Sequence, residues 1–96
     1  MTGIRWTRPA QVDYSEIITR IMAANPQAAL RIAGVIKDRL ALLATMPRMG
    51  RTGRVAGTRE LVLSGTRYIV IYELRGPEQQ IFVLRLLHGA RRWPPR

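Results

Sequence analysis

Arg85, His88, Arg91 and Arg92 fall within one eight-residue stretch, and their types suit the handling of anions and protons. A guanidinium presents a flat fork of donors that grips phosphate or carboxylate bidentately. His88 is the only histidine, and imidazole is the one side chain whose unperturbed pKa lies near neutrality. Arg85 sits in a run, Ile81 to Leu87, that otherwise reads as a strand. Simple alternation places it on one face with Ile81, Val83 and Leu87, where an apolar residue is expected. A charge there must be paired or must line a cleft, and Glu60 or Glu73 across the sheet is the partner the pattern suggests. A second basic group, Arg39, Arg48, Arg51, Arg54 and Arg59, occupies a segment with no acid between Asp38 and Glu60. No acid follows Glu78 either. If the loop preceding the sheet and the segment leaving its last strand lie side by side, the two acid-free stretches form one concave basic patch. Arg51, Arg54, Arg59, Arg67, Arg85, Arg91 and Arg92 are its candidate binding residues.

The whole composition agrees with an anionic partner. Sixteen cations against six acids leave a formal net charge of +10 on 96 residues, and every cation but Lys37 is an arginine. Such an excess implies nucleic acid, an acidic protein, or both. With 47% apolar residues the chain can still fold around a core, and its length suits one domain spanning 1–96. The absence of cysteine excludes disulfides, thiolate metal sites and cysteine nucleophiles. A single histidine and six scattered carboxylates offer no metal-ligand spacing, so neither metal nor cofactor is called for. The longest apolar runs, Leu40–Ala44 and Tyr68–Tyr72, are five residues, against the roughly 20 a membrane-spanning helix needs. With no apolar signal segment at the N-terminus, a cytoplasmic location is expected.

The elements that must carry these residues are legible in outline. Ile4 and Trp6 alternate in a short strand. Thr7 and Pro9 are the start signals of a helix with Ala10, Tyr14, Ile17, Ile18 and Ile21 on one side and Asp13, Glu16 and Arg20 on the other. Asp13 and Glu16 are read there as charges complementing the helix dipole. Asn25-Pro26 caps and opens a second helix, to about Met46, with Ala29, Ile32, Ala33, Ile36, Leu40 and Leu43 as its stripe. Val35, Leu42 and Met46 widen that stripe, with Arg39 beside them, as a face for another chain to cover. Residues 47–58 read as an arginine- and glycine-rich loop. Strands are expected at Glu60–Leu63, at Arg67–Leu74 as a central strand buried on both faces, and at Ile81–Leu87. The fold class is therefore α+β: an N-terminal strand and an antiparallel two-helix hairpin packed on a curved antiparallel β-meander.

Across essentially its whole length the chain resembles the RelE/ParE superfamily of type II toxin–antitoxin toxins. The resemblance rests on Trp6…Ala10…Asp13, the helix–Asn25-Pro26–helix hairpin, Met46-Pro47…Gly50-Arg51, and Gly57-Thr58-Arg59-Glu60-Leu61-Val62. It continues through Tyr68-Ile69-Val70-Ile71-Tyr72-Glu73 and the ending Ile81 to Pro94, with Leu87-His88-Gly89-Ala90-Arg91 inside it. It implies a growth-inhibiting toxin and a cognate acidic antitoxin that folds around it, with Val35, Arg39, Leu42 and Met46 as the antitoxin-binding residues. RelE-like members are metal-independent, ribosome-dependent mRNA endoribonucleases, for which Arg85, His88 and Arg91 would be the catalytic residues. ParE-like members inhibit DNA gyrase by binding and need no catalytic set. RelE-like members usually carry a cation inside the central strand, whereas Ile69 stands at that position here, after Tyr68. No tyrosine follows Arg92. The apolar strand and the Leu-His-Gly-Ala-Arg ending look more like the ParE branch. The expectation is gyrase inhibition, with mRNA cleavage as the alternative and a plain nucleic-acid-binding module as a third reading.

Overall fold

The computed structural model describes residues 3–89 and 93–94. Its elements run β1 (Ile4–Trp6), α1 (Arg8–Ala24), α2 (Pro26–Thr45), β2 (Arg51–Thr52), β3 (Thr58–Val62), β4 (Tyr68–Arg75) and β5 (Gln80–His88). Each helix starts where its local chemistry says it should. The Thr7 hydroxyl oxygen accepts from the Ala10 amide at 3.4 Å while the hydroxyl donates to the Val83 carbonyl at 2.9 Å. One residue thus caps α1 and ties it to β5. Asn25 closes α1 by donating its amide to the Ile21 carbonyl and opens α2 by accepting from the Ala28 amide at 3.1 Å. Pro26 costs nothing at the first helical position, where its missing N–H would have no partner, so a one-residue turn makes the hairpin.

The five strands form a sheet of order β1-β5-β4-β3-β2. The β3–β4–β5 meander is antiparallel, as expected. β1 lies parallel to β5 at the edge, however, so the sheet is mixed. The loop before β3 is also more ordered than its composition suggested, because Arg51 and Thr52 pair antiparallel with Glu60 and Arg59. The strand expected at Glu60–Leu63 begins earlier, at Thr58.

β4 separates two apolar clusters. On the helix side Val70 and Tyr72 pack with Ile32, Ile36, Leu40 and Leu43 of α2, Ala10 and Ile17 of α1, and Leu61, Ile81, Val83 and Leu86. On the outer side Ile69, Ile71 and Leu87 form a smaller cluster against Leu84 and Trp93. Fully burying each such Leu or Ile contributes about 1.5–3 kcal/mol. The loop after α2 is pinned to this core. The Tyr72 hydroxyl donates to the Pro47 carbonyl at 2.7 Å and accepts from the Gly50 amide at 3.0 Å. A Cβ at Gly50 would lie 2.6 Å from that hydroxyl, so only glycine fits.

The alternation expected for β5 breaks at one residue. Tyr72 pairs with Val83 but Ile71 pairs with Arg85, leaving Leu84 with no opposite number on β4. Such a bulge shifts every later side chain to the other face. Leu86, not Leu87, consequently joins Ile81 and Val83 in the helix-side core. Arg85 therefore does not share their face.

Candidate functional site at one end of the outer sheet face

With helices on one side only, the outer face is where the sheet can present charge. Register runs Arg51, Glu60, Ile71 and Arg85 across four strands. Glu60 is 2% exposed, a position a carboxylate holds only when fully paired. It accepts from the Arg51 guanidinium at 3.0 Å and from the Arg54 backbone amide at 3.1 Å, and its Oε2 is 3.2 Å from Arg54 Nε. Burial alone would push the Glu60 carboxyl up. The Arg54 amide, the Arg51 hydrogen bond and both positive charges outweigh it and hold the carboxyl below its ordinary range. The two arginine side chains stay partly in solvent, so Glu60 acts as an anchor that orients them.

That shift has a measurable consequence. A carboxyl whose folded pKa lies below its unfolded value contributes stability above the unfolded value, and the contribution is lost as pH falls through the folded one. The stability advantage of the parent over Glu60→Gln should therefore shrink as pH is lowered from about 6 to about 3. Urea melts across that range measure it, and a constant gap would contradict the anchoring role.

Beside this row, Arg51, Val62, Thr66, Arg67, Tyr68, Ile69, His88 and Gly89 line a depression of about 370 Å³. Its apolar part is Val62, 43% exposed, and Ile69. Arg51 and Arg67 supply positive charge at its rim. The His88 imidazole meets the Tyr68 ring edge-on at 5.8 Å between centroids. His88 also borders a smaller hollow with Asp13, Glu16 and Arg20. The Gly89 amide donates to the Arg67 carbonyl and fixes the exit from β5.

Arg85 is engaged elsewhere. Its Nε and one Nη donate to the two Asp13 carboxylate oxygens at 2.7 and 3.0 Å, and Asp13 Oδ2 also accepts from the Leu86 amide at 3.0 Å. The partner is thus on α1, neither Glu60 nor Glu73. The reason is topological: β1 pairs with β5 only as far as Val83, and the Asp13 carboxylate takes over the open strand edge beyond it. The bidentate Asp13 hydrogen bonds raise the Arg85 pKa, against a smaller opposing effect of burial. Asp13 is no helix-dipole charge, since the first turn of α1 holds no acid. Asp13 falls three residues after Ala10 and four before Ile17, and these three are the buried residues of α1. Its spacing already placed it on the inward stripe rather than beside Glu16 and Arg20.

The structure brings together Arg51, Arg67 and His88, with Arg54 adjacent through Glu60. It sends Arg59 away from them: its guanidinium donates to the Gly50 carbonyl at 2.7 Å and the Arg48 carbonyl at 3.2 Å. Arg91 and Arg92 lie outside the described residues. On α2, Leu42 is exposed, as is its C-cap Met46, Val35 packs partly against the main core, and Arg39 Nε is buried with no hydrogen-bond partner among the described residues. Val62 and Ile69 escaped the sequence reading because strand residues reveal their shared floor only once register is known, while Tyr68, the neighbouring residue of β4, packs toward the helix-side core.

Two helices packed on one face of a small mixed sheet are an architecture this chain shares with solved chains of toxin–antitoxin systems. The family model described as "ParE toxin of type II toxin-antitoxin system, parDE" matches residues 4–93, and the chain belongs to that family. It is 36% identical over 91 residues to a Sinorhizobium fredii protein named "Putative toxin Y4kP", covering 95% of this chain and 92% of the relative. A chain of the chromosomal ParDE system of P. aeruginosa superposes with a TM-score of 0.79 at 25% identity, over 92% of this chain and 96% of that one. A chain of the RelBE2 toxin–antitoxin complex of Mycobacterium tuberculosis shares the fold, with a TM-score of 0.63 at 23% identity, over 91% and 96%.

Proposed function

We propose that this toxin inhibits growth by binding DNA gyrase, in the cytoplasm and as a single domain, and that an acidic cognate antitoxin neutralises it. The observation that carries the target reading is the state of the groups a nuclease would need. Cleaving RNA without metal requires a base for the 2′-hydroxyl, cations for the phosphorane and an acid for the leaving oxygen. Glu60 is buried and held ionised by two arginines, and Arg85 is clamped to Asp13. The depression's floor at Ile69 is apolar. Arg51 and Arg67 over Val62 and Ile69 suit a protein contact, with charge steering encounter and an apolar centre supplying affinity. No helix of the described residues is long and apolar enough to cross a membrane.

The decisive measurement is plasmid supercoiling by gyrase at micromolar toxin, beside mRNA integrity in a translating extract. Inhibited supercoiling with intact mRNA is expected. Cut mRNA with unaffected supercoiling would transfer the assignment to the mRNA endoribonuclease reading.

The antitoxin surface has its own test. Val35, Arg39 and Leu42 recur at intervals of four and three residues along one face of α2, and Met46 caps its C-terminal end. Arg39 is half-buried beside them, and its guanidinium suits an Asp or Glu of an acidic partner. Leu42→Asp with Met46→Asp should keep inhibition while raising the antitoxin Kd about 100-fold, since two apolar anchors become charges facing an acidic chain. Titrating antitoxin against the variant in the supercoiling assay reads this, and unchanged neutralisation would remove α2 from the interface.

A further inference from the structure

At the opposite end of β3 from Arg67 and His88 lies a second depression, about 340 Å³, between the start of β3 and the turn joining β4 to β5. Arg48 and Arg59 line it with Thr52, Thr58, Gly76 and Gln79. We propose that this depression is a phosphate-binding site, separate from the outer-face surface and independent of the gyrase reading. Arg59 is already positioned for such a ligand. Two carbonyls hold one Nη, and the loop bearing them is itself pinned by Tyr72. The remaining guanidinium donors are left for an acceptor at little further cost in side-chain entropy.

The ion pairs among the described residues engage Arg51, Arg54, Arg75 and Arg85. Arg48 and Arg59 therefore carry two positive charges into one hollow with no carboxylate partner of their own among those residues. A single planar carboxylate is matched by one guanidinium fork, whereas a tetrahedral phosphoryl group can accept from two forks and a hydroxyl approaching from different directions. Thr52 supplies that hydroxyl. Thr58 uses its hydroxyl proton on the Val55 carbonyl at 2.6 Å and so fixes the chain beside the hollow. One feature opposes the assignment: Glu78 Oε2 lies 3.8 Å from where a Cβ on Gly76 would sit. Its charge should weaken anion binding, which turns it into a probe.

The phosphoryl group can belong to a free phosphate compound or to a polynucleotide backbone, and the test separates these. Amide shifts of the whole chain are followed by NMR at low salt while pyrophosphate, a short oligothymidylate or citrate is added. Pyrophosphate is expected to move Thr52, Thr58, Gly76 and Gln79 saturably. Arg48→Gln, which keeps the carbonyl that anchors Arg59, should weaken binding about tenfold, and Glu78→Gln should strengthen it about threefold. Arg67→Gln should leave it unchanged. Binding by pyrophosphate alone identifies a free phosphate compound. Tighter binding by the oligonucleotide, dependent on Arg48 and falling with salt, identifies a polynucleotide. Citrate binding as well as pyrophosphate, no saturable shift, shifts confined to the outer face, or an unchanged Arg48→Gln affinity would each overturn the site.

Discussion

Asp13→Ala is expected to cost about 3 kcal/mol of folding stability, the toll of removing one partner from a largely buried, hydrogen-bonded ion pair. In a chain of this size that corresponds to a fall in Tm of roughly 15 °C. The size follows from three acceptor roles lost at once. Arg85 keeps its charge with its side chain only 21% exposed, and the Leu86 amide on the open edge of β5 loses its acceptor. Asp13→Asn should cost less, because the amide oxygen can still accept from Leu86 while the ionic attraction to Arg85 disappears. Removing both partners should be less damaging than the sum of the single losses, since no stranded charge remains. Thermal melts of Asp13→Ala, Arg85→Ala and the double variant measure this. An Asp13→Ala protein melting within about 3 °C of the parent would show that the clamp contributes little.

That clamp also marks the boundary of what a linear reading could reach. Local signals were explicit: Thr7 and Asn25 as caps, Pro9 and Pro26 in first turns, Ile32, Ile36, Leu40 and Leu43 at helical spacing. Each depends on neighbours within a few residues, and each appears in the structure where it was read. The central strand was legible because Tyr68 to Tyr72 is apolar at consecutive positions, and its two faces do enter two clusters. The parallel pairing of β1 was not legible, since a three-residue strand bears no mark of its partner. Nor was the bulge, where Leu84 is as apolar as any residue of a regular strand. One unrecognised extra residue was enough to put Arg85 on the wrong face, while the search for its partner looked across the sheet to Glu60 and Glu73 rather than to the helix beside the strand edge. Asp13 is 72 residues from Arg85 in the chain, and only its place in the inward stripe of α1 hinted at a buried role.

The basic patch divides for a similar reason. Charge along the chain showed two acid-free stretches, but register decides which side of the sheet each arginine takes. Arg51 and Arg59 belong to strands paired with each other, yet Arg51 lies opposite Glu60 on the outer face and Arg59 lies opposite Tyr72 on the inner one. One expected surface is therefore two: an outer depression with an apolar centre, and a smaller polar hollow at the other end of β3. Their chemistry differs accordingly. The first is mostly apolar with steering charge at its rim, whereas the second sets charge and hydroxyls beside Leu74.

Arg51→Ala combined with Arg67→Ala should raise the toxin concentration needed for half-inhibition of gyrase about 100-fold, with little change in Tm. Each arginine sits at the rim of the outer depression, and a well-placed interface arginine contributes about 1–2 kcal/mol on truncation, so two together reach about two powers of ten. The fold should tolerate the change because both side chains are solvated, and Glu60 retains the Arg54 amide and guanidinium when Arg51 is gone. Salt offers an independent check. The parent should lose potency as ionic strength rises while the double variant responds less, since the charges that steer encounter have been removed. Arg31→Ala with Lys37→Ala, both exposed on α2, removes the same two charges at a different place and should leave inhibition unchanged. If that α2 pair weakens inhibition as much as the outer pair does, net charge alone drives association and the depression has no special part in it. If His88→Ala abolishes activity outright while the arginine pair changes it only slightly, the surface is catalytic. A graded response across Arg51, Arg67 and His88 is what a binding inhibitor requires, because no single contact on a solvated rim carries a chemical step.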